Sequence, residues 1–343
     1  MRIIALDLIR FFSAMAVVLY HYTARQESSY PLISEFTQFG YLGVPIFFIL
    51  SGYVISFSAE NKSPSEFAIS RLVRLYPTYW IGVIITAFFI FWIGQNNNSL
   101  IRVIANLTML NSYFGYADIE GVYWSLLAEL KFYACVYLLL LFNIFNKNRI
   151  WLSAWLGFTV LFLIFKQPFF MGWFISPQYS SFFIAGITFY LIKKEGVNKF
   201  NFLTLLASLA ISSFQIFKLT SQYIPNPSTS DQFISCLFII IFYLLFYKII
   251  KGDISLSKRK LYLTLGGLTY PLYLIHNMAG KAIIDNKLGF LPEWLAILIT
   301  ITLMLIFSYL IHTQFEKKAS SIIKNKLFFF YHYLVSFKKS KNH

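Results

Sequence analysis

Long runs of apolar residues alternate with short polar segments along nearly the whole chain of 343 residues. Each run approaches the roughly 20 residues that a helix needs to cross a ~30 Å hydrocarbon core. The pattern therefore predicts about ten membrane-spanning helices. Their centres are clear and their ends are uncertain by about three residues. They fall near 6–24, 38–58, 76–94, 122–144, 150–166, 177–193, 201–219, 232–250, 264–282 and 292–313.

Composition supports a membrane protein. Hydrophobic residues make up 58% of the chain, aromatic residues 20% and charged residues only 13%, which is outside the range of soluble domains. We therefore expect an all-α polytopic membrane helix bundle. The only two cysteines, Cys135 and Cys236, lie in apolar segments, so neither a disulfide framework nor a thiolate metal site is expected. No histidine pair has metal-ligand spacing either.

The net charge of +15 could suggest a nucleic-acid partner, but the basic residues lie beside the ends of the apolar segments. Most of the 29 Lys and Arg residues fall in loops on one side, which predicts that both termini are cytoplasmic and excludes nucleic-acid binding. We assign residues 1–316 to a transmembrane domain. Residues 317–343 form a basic, aromatic tail, which we expect on the anionic inner leaflet.

Arg10 and His21 share the first apolar segment, LDLIRFFSAMAVVLYH. An eleven-residue step turns a helix by roughly 1100°, so both side chains lie on one face, some 16 Å apart in depth. Ionisable residues at such depths are costly and indicate function. The alternatives are that Arg10 snorkels to the inner interface beside Asp7, and that His21 is an ordinary interfacial histidine.

Arg71 and Arg74 lie three residues apart in RLVRLYPTYW, at the predicted cytoplasmic end of the third span. Two guanidinium groups on one helix face offer paired donors and fixed charge to phosphate groups. The alternative is that they only anchor the span at the inner surface. Pro77 is expected to kink the helix or to start it.

Glu129 lies about six residues into the fourth span, roughly 9 Å deep, at a level similar to that of His21. Ser125 and Tyr133 lie one turn on either side of it, so a polar stripe is predicted. A carboxylate inside a membrane is a functional candidate, and its expected task is to orient or polarise a histidine. The alternative is a structural ion pair, for example with Lys131.

Two further polar features are less specific. His276 lies about twelve residues into the ninth span, where a packed, hydrogen-bonded histidine is the alternative to a functional one. Gly43, Ser51 and Gly52 of GVPIFFILSGY are interpreted as small residues for close helix packing.

Together these segments resemble the acyltransferase 3 family of bacterial membrane acyltransferases. Five motifs match in order over almost the whole chain: LDLIRFFSAMAVVLYH with its R-x10-H spacing, GVPIFFILSGY, RLVRLYPTYW, WSLLAELKFY and LTYPLYLIH. The resemblance implies a ten-span bundle that transfers an acyl group, usually acetyl from acetyl-CoA, to a sugar hydroxyl of an exported or lipid-linked glycan.

The chain departs from the family pattern at three positions. Pro45 stands where many members have Asp, Phe11 where glycine often follows the arginine, and Lys131 where the neighbour of Glu129 is usually neutral or acidic. Because Pro45 has no carboxylate, this chain cannot perform any role that the Asp has in other members. We expect a standalone form, without the esterase-like domain that some members carry after the last span.

We therefore expect an O-acyltransferase of the bacterial inner membrane, with acetyl-CoA as co-substrate, no bound cofactor and a carbohydrate acceptor. The alternative is a glycolipid transporter or flippase. Inverted internal repeats would favour this alternative, and the pattern of apolar segments shows none. The expected residues are His21, Glu129 and Arg10 for catalysis, Arg71, Arg74 and Arg10 for the donor, and Trp124, Tyr133 and His276 for the acceptor.

Overall fold

A computed structural model describes residues 3–24, 31–92, 99–167, 170–254, 256–257, 259–286, 288–316 and 318–326. Within these ranges all regular structure is helical, as predicted, and no strand occurs. The α-helices of the described ranges are α1 (Ile4–Thr23), α2 (Pro31–Thr37), α3 (Gly43–Ala59), α4 (Pro64–Trp92), α5 (Leu100–Leu107), α6 (Trp124–Leu141), α7 (Asn148–Phe165), α8 (Met171–Phe174), α9 (Ser180–Glu195), α10 (Lys199–Tyr223), α11 (Thr229–Lys251), α12 (Lys260–Ile275), α13 (Asn277–Asn286) and α14 (Glu293–Leu310).

Eight helical stretches of the described ranges are long and apolar enough to cross a membrane, which supports a multi-pass membrane protein. They coincide with eight of the ten predicted spans, so the count of ten is not confirmed. The segment predicted at 177–193 forms α9, which has only 16 residues. The segment predicted at 264–282 is divided into α12 and α13 at His276. The orientation of the termini stays a prediction.

Helix α4 begins well before the predicted third span, because Ser63 and Glu66 form a reciprocal cap at its start. The backbone N–H of Ser63 donates to Glu66 Oε2 (2.9 Å), and the N–H of Glu66 donates to Ser63 Oγ (3.3 Å). Pro77 therefore lies inside the helix, and its interpretation as a helix start is wrong. Pro77 has no N–H to donate to the Val73 carbonyl oxygen, which instead accepts a hydrogen bond from Ser320 Oγ (3.1 Å).

The chain divides into two compact units. Unit 1 comprises Met1–Glu60 and Trp124–Thr269, and unit 2 comprises Asn61–Tyr123 and Tyr270–His343. In the part of unit 2 that the structure describes, α4 packs against α13, and the turn Ile311–Glu316 that follows α14 also contacts α4. The predicted tail, 317–343, is helical over 318–326, and its remaining residues lie outside the described ranges.

Unit 1 is built around the crossing of α3 and α9, where glycines allow the two backbones to touch. A Cβ atom on Gly52 would overlap the Phe183 carbonyl oxygen, and one on Gly186 would overlap the Ile49 carbonyl oxygen. Such small residues permit the close contact on which helix association in a membrane depends. The packing role predicted for the glycines of α3 is confirmed. It also explains why α9, although short, is buried from Ser180 to Ile192.

Gly186→Ala is expected to destabilise the protein by about 1–3 kcal/mol, because the added methyl group must push α3 and α9 apart. The thermal unfolding midpoint of the purified protein in detergent measures this effect. Gly157→Ala in α7 is the matched control, since its methyl group meets no atom within 4 Å. Equal midpoints for the two variants would contradict the close α3–α9 contact.

Candidate active site

Helix α1 carries both Arg10 and His21 without interruption, as the sequence predicts. Both side chains are partly exposed, and the His21 ring lies edge-on to Tyr20 with ring centroids 5.1 Å apart. Asp7 is buried on the same helix and packs against Gly266 of α12, where an added Cβ would lie 3.2 Å from Asp7 Oδ1. A helix with three partly or fully buried ionisable groups is consistent with a functional α1.

Glu129 is held by hydroxyl groups from two helices of unit 1. Its Oε1 accepts a hydrogen bond from Tyr133 Oη (2.7 Å), one turn along α6, and another from Ser51 Oγ on α3. Ser51, which the sequence indicated only as a packing residue, therefore also binds this carboxylate. These two hydrogen bonds fix the direction of the carboxylate.

Glu129 and Lys131 of α6 have different hydrogen-bond partners. Lys131 Nζ donates to the carbonyl oxygen of Gly172 (2.8 Å), whereas Glu129 faces Ser51 and Tyr133. Residues two positions apart lie on different faces of a helix, which accounts for the separation. The role of Glu129 in orienting His21 stays a prediction.

A chain of aromatic contacts joins Trp124 to the neighbourhood of His21. Trp124 stacks on Tyr179 with ring centroids 4.9 Å apart, and the Tyr179 and Tyr223 hydroxyls share a hydrogen bond of 3.1 Å. Tyr20 Oη then donates to the carbonyl oxygen of Tyr223 (2.7 Å). Unit 1 therefore brings a predicted acceptor-binding residue and the predicted base into one connected region. The role of these tyrosines could not be predicted from the sequence, because their partners are distant along the chain.

Arg71 and Arg74 both lie on α4 in unit 2, but their surroundings differ. Arg74 pairs with the buried carboxylate of Glu316, which also binds His312 Nδ1 (2.7 Å). Arg71 is partly exposed, with its Nε donating to Ser70 Oγ (3.3 Å). Arg74 therefore has a structural partner although its side chain is 46% exposed, and the binding of a donor by either arginine stays a prediction.

Arg71 belongs to a basic cluster with Lys62 and Lys324, which was not predicted from the sequence. Burial lowers the pKa of Lys62, the positive charges of Arg71 and Lys324 lower it further, and the negative charge of Glu66 opposes this shift. These side chains come from the turn before α4, from α4 itself and from the helical stretch 318–326. Cations held close enough to perturb one another form a favourable site for a polyanion such as a phosphorylated ligand.

His276 lies at the break between α12 and α13 and is fully buried. Its Nδ1 is 2.9 Å from the Tyr273 carbonyl oxygen and 3.2 Å from the Leu272 carbonyl oxygen. Because carbonyl oxygens only accept, Nδ1 carries the proton and Nε2 is the acceptor nitrogen. The hydrogen-bonded alternative is confirmed for Nδ1, and substrate binding by this residue stays a prediction. Of the three residues predicted to bind the acceptor, Trp124 and Tyr133 belong to unit 1 and His276 belongs to unit 2.

Comparison with known proteins adds a family match. A profile described as an acyltransferase domain of the acyltransferase 3 type matches residues 3–313. The acyltransferase MdmB of Streptomyces mycarofaciens is 23% identical over 331 residues, covering 85% of this chain and 84% of that protein. The O-acetyl transferase of Shigella phage Sf6 is 30% identical over 142 residues, covering 37% of this chain and 43% of that protein.

A third relative is a putative membrane-bound transacylase, BcsY, of Komagataeibacter xylinus. It is 29% identical over 133 residues, which cover 34% of each chain. No solved structure matches this chain significantly. The relatives that match a third of the chain share less than half of their own length with it.

Proposed function

The chain belongs to the acyltransferase 3 family, and on that premise we propose that this enzyme transfers acetyl from acetyl-CoA to a carbohydrate hydroxyl. The acceptor is a cell-surface or lipid-linked glycan. The observation that carries the proposal is that unit 1 contains both a partly exposed histidine on α1 and, on α6, a carboxylate held by the hydroxyls of Tyr133 and Ser51. The names of two relatives, an O-acetyl transferase and a membrane-bound transacylase, support it.

In the proposed reaction His21 acts as the general base. Its neutral imidazole takes the proton of the acceptor hydroxyl as the hydroxyl oxygen attacks the thioester carbonyl carbon. The tetrahedral intermediate then collapses, the carbon–sulfur bond breaks, and the leaving CoA thiolate takes the proton from the His21 imidazolium, which restores the neutral base. The products are an acetyl ester of the sugar and free CoA, so neither an oxidant nor a metal ion enters the balance.

Glu129 supports this step by electrostatics. When the imidazole of His21 becomes an imidazolium, a fixed negative charge stabilises it, as the aspartate of a catalytic triad does. Tyr133 and Ser51 keep the carboxylate in one direction, so little reorganisation is needed during the reaction. Glu129 therefore serves as a positioning group whose charge is required.

The donor is held by positive charge. The cluster of Lys62, Arg71 and Lys324 in unit 2 supplies cations for the phosphates of acetyl-CoA. Arg10, which lies about 16 Å in depth from His21 on the same helix, lines the path of the extended donor. Arg74 contributes by holding Glu316, so its replacement would also leave a buried carboxylate with fewer partners.

We place this enzyme in the bacterial inner membrane with both termini cytoplasmic. Acetyl-CoA is cytoplasmic and too polar to cross the bilayer, whereas the basic residues are concentrated in the loops assigned to the inside. The donor phosphates would then meet Arg71 from the cytoplasm. The acceptor would be presented at the outer face or on a lipid carrier, near the depth of His21.

Arg71→Ala is expected to raise the dissociation constant of acetyl-CoA about tenfold, because a charge-assisted contact with phosphate is worth about 1.5–3 kcal/mol. Isothermal titration of the purified protein measures it, and the loss should shrink as salt rises. Arg149→Ala is the matched control, an exposed arginine at the start of α7 in unit 1. An unchanged affinity in Arg71→Ala would refute the donor site.

Mass spectrometry of the surface glycans, with and without the gene, tests the proposed function. We expect the glycan of the deletion strain to lose the mass of an acetyl group from its sugar residues. Complementation with the wild-type gene should restore it. Unchanged glycan mass together with an altered amount of surface glycan would instead favour a glycolipid transporter, in which the same charges line a translocation path.

A further inference from the structure

Glu120 is a fully buried carboxylate that the proposed reaction does not use. It lies in the loop before α6, outside the eight candidate spans, and comes from unit 2. Its Oε1 accepts from Asn277 Nδ2 (2.7 Å), and its Oε2 accepts from the backbone N–H of Met278 (2.8 Å). Burying an acidic group requires such partners, so this placement is specific.

These two donors belong to the first residues of α13, which lies in unit 2. The break at His276 separates α12 from α13 and leaves the first N–H groups of α13 without partners inside the helix. Irregular backbone near a membrane is stable only where its polar groups find other partners. Glu120 satisfies one of these groups through Met278. The carboxylate of Glu120 therefore stabilises the backbone conformation at the break between α12 and α13.

Two tyrosines fasten the same loop to the end of α12. Tyr123 Oη donates to the carbonyl oxygen of Leu274 (3.1 Å), and Tyr273 Oη donates to the carbonyl oxygen of Val122 (3.4 Å). Together with the bonds of Glu120, these contacts join residues 120–123 to the turn that contains His276. The loop and the break form one hydrogen-bonded assembly.

The break presents hydrogen-bond acceptors from two consecutive side chains. The backbone carbonyls that bind His276 Nδ1 make Nε2 the acceptor nitrogen. Because Glu120 accepts from Asn277 Nδ2, the amide is turned so that Asn277 Oδ1 faces away from Glu120. That oxygen is buried and has no hydrogen-bond partner among the residues that the structure describes. A buried acceptor such as Asn277 Oδ1 suits a ligand that brings a donor, such as a sugar hydroxyl.

We propose that Glu120 is a positioning residue, which holds the α12–α13 break so that His276 and Asn277 bind hydroxyl groups of the acceptor. The inference rests on the proposed function, since it assigns the binding of that acceptor to residues of unit 2. Glu120 itself does not touch the reacting atoms. It acts through Asn277 and through the backbone of Met278.

The neutral variant Glu120→Gln is expected to fold. Burial raises the pKa of Glu120 to about 7, while the bonds from Met278 and Asn277 and the charge of Lys281 oppose the rise. An acid with a raised pKa stabilises the fold below its unfolded pKa of 4.5, and that contribution is lost as pH rises to about 7. At pH 8 glutamine avoids this cost. The NH₂ group that replaces one carboxylate oxygen cannot accept a hydrogen bond, so one of the two donors, Asn277 Nδ2 or the Met278 N–H, loses its partner.

Membranes of the deletion strain, which contain the natural acceptor, provide the assay. Wild type, Glu120→Gln, His276→Ala and the double variant are expressed in them at matched protein levels. Transfer of label from radioactive acetyl-CoA to glycan is measured at pH 8 over a range of donor concentrations. Asp118→Asn is the control, because its carboxylate binds Asn111 within the same loop rather than α13.

We expect Glu120→Gln to lower the maximal rate about tenfold with an unchanged KM for acetyl-CoA, as for the loss of one buried hydrogen bond. His276→Ala should lower the rate at least as much, and the double variant should be no slower than His276→Ala alone, because both changes act on one site. The control should retain the wild-type rate.

Multiplying effects in the double variant, or a wild-type rate in Glu120→Gln, would overturn the inference while leaving the proposed function intact. An absence of transfer by the wild type would instead overturn the proposed function, and the assignment of the acceptor site would fall with it. If Glu120→Gln does not fold, Glu120→Asp replaces it in the assay. Aspartate keeps the charge but is one methylene shorter. If Glu120→Asp folds and retains the full rate, the positioning role is refuted.

Discussion

His21→Ala is expected to lower acetyl transfer by about 10²–10⁴-fold, the usual contribution of a positioned general base. His21 lies on α1, partly exposed, with its ring against Tyr20, so its removal leaves no large cavity. The variant should therefore keep the wild-type thermal midpoint and the wild-type affinity for acetyl-CoA. Initial rates of label transfer in membranes, together with donor titration of the purified protein, measure the two effects separately.

Phe12→Ala is the matched control for this variant. It removes a large side chain from the same helix, but from a position that is mostly exposed. We expect it to retain at least half of the wild-type rate, as for a typical surface substitution of about 0.5 kcal/mol or less. Full activity of His21→Ala would show that the base lies elsewhere.

Glu129→Gln is expected to lower the transfer rate by about 10²-fold or more, because it removes the charge that we propose to stabilise the imidazolium of His21. The amide oxygen of glutamine can still accept from Tyr133 and from Ser51, so the local packing should persist. A rate loss without a change in thermal midpoint would therefore report the charge itself. The effect should appear in the maximal rate rather than in the KM for acetyl-CoA.

Tyr133→Phe separates the effect of the Glu129 charge from the effect of the hydrogen bond that Tyr133 donates to it. It deletes one hydrogen bond to Glu129 and leaves the carboxylate in place, so a loss of about tenfold is expected. Glu129→Gln that is as active as the wild type would contradict the electrostatic role. A larger loss in Tyr133→Phe than in Glu129→Gln would point to the hydroxyl, rather than the carboxylate, as the functional group.

Hydrophobic periodicity predicted the helical class of the fold and the continuity of α1, because a long apolar run has few other stable forms in a bilayer. The i, i+4 relation of Glu129 and Tyr133 could also be read from the sequence, since it depends only on helix geometry. The Ser51 bond to the same carboxylate could not. It joins residues 78 positions apart, and a serine beside glycine in an apolar helix usually indicates packing.

The break at His276 could not be predicted from the sequence for a different reason. Apolar residues continue through LTYPLYLIHNM, so the pattern predicts one uninterrupted span. What divides it is a set of distant hydrogen bonds, among them those of Glu120, which replace the bonds missing within the helix. Likewise, the start of α4 depends on a cap formed by Ser63 and Glu66, and such local polar chemistry is easily overlooked beside a strong apolar signal.

Arg74 shows how a tertiary partner changes an interpretation. The three-residue spacing of Arg71 and Arg74 suggested a pair of equal donors, whereas the structure gives Arg74 a buried carboxylate, Glu316, and places Arg71 beside Lys62. The proposed phosphate site of Lys62, Arg71 and Lys324 draws on residues far apart in the sequence. This is why the donor variant with the clearest expected effect is Arg71→Ala.

The central claim is that acetyl passes from acetyl-CoA to a sugar hydroxyl on this enzyme. The most direct measurement incubates the purified protein in lipid nanodiscs with acetyl-CoA, ¹³C-labelled in its acetyl group, and glycan isolated from the deletion strain. We predict that ¹³C-acetyl appears on the glycan as a base-labile ester, and that it is absent when His21→Ala replaces the wild type. Unlabelled glycan after incubation with the wild-type protein would contradict the account.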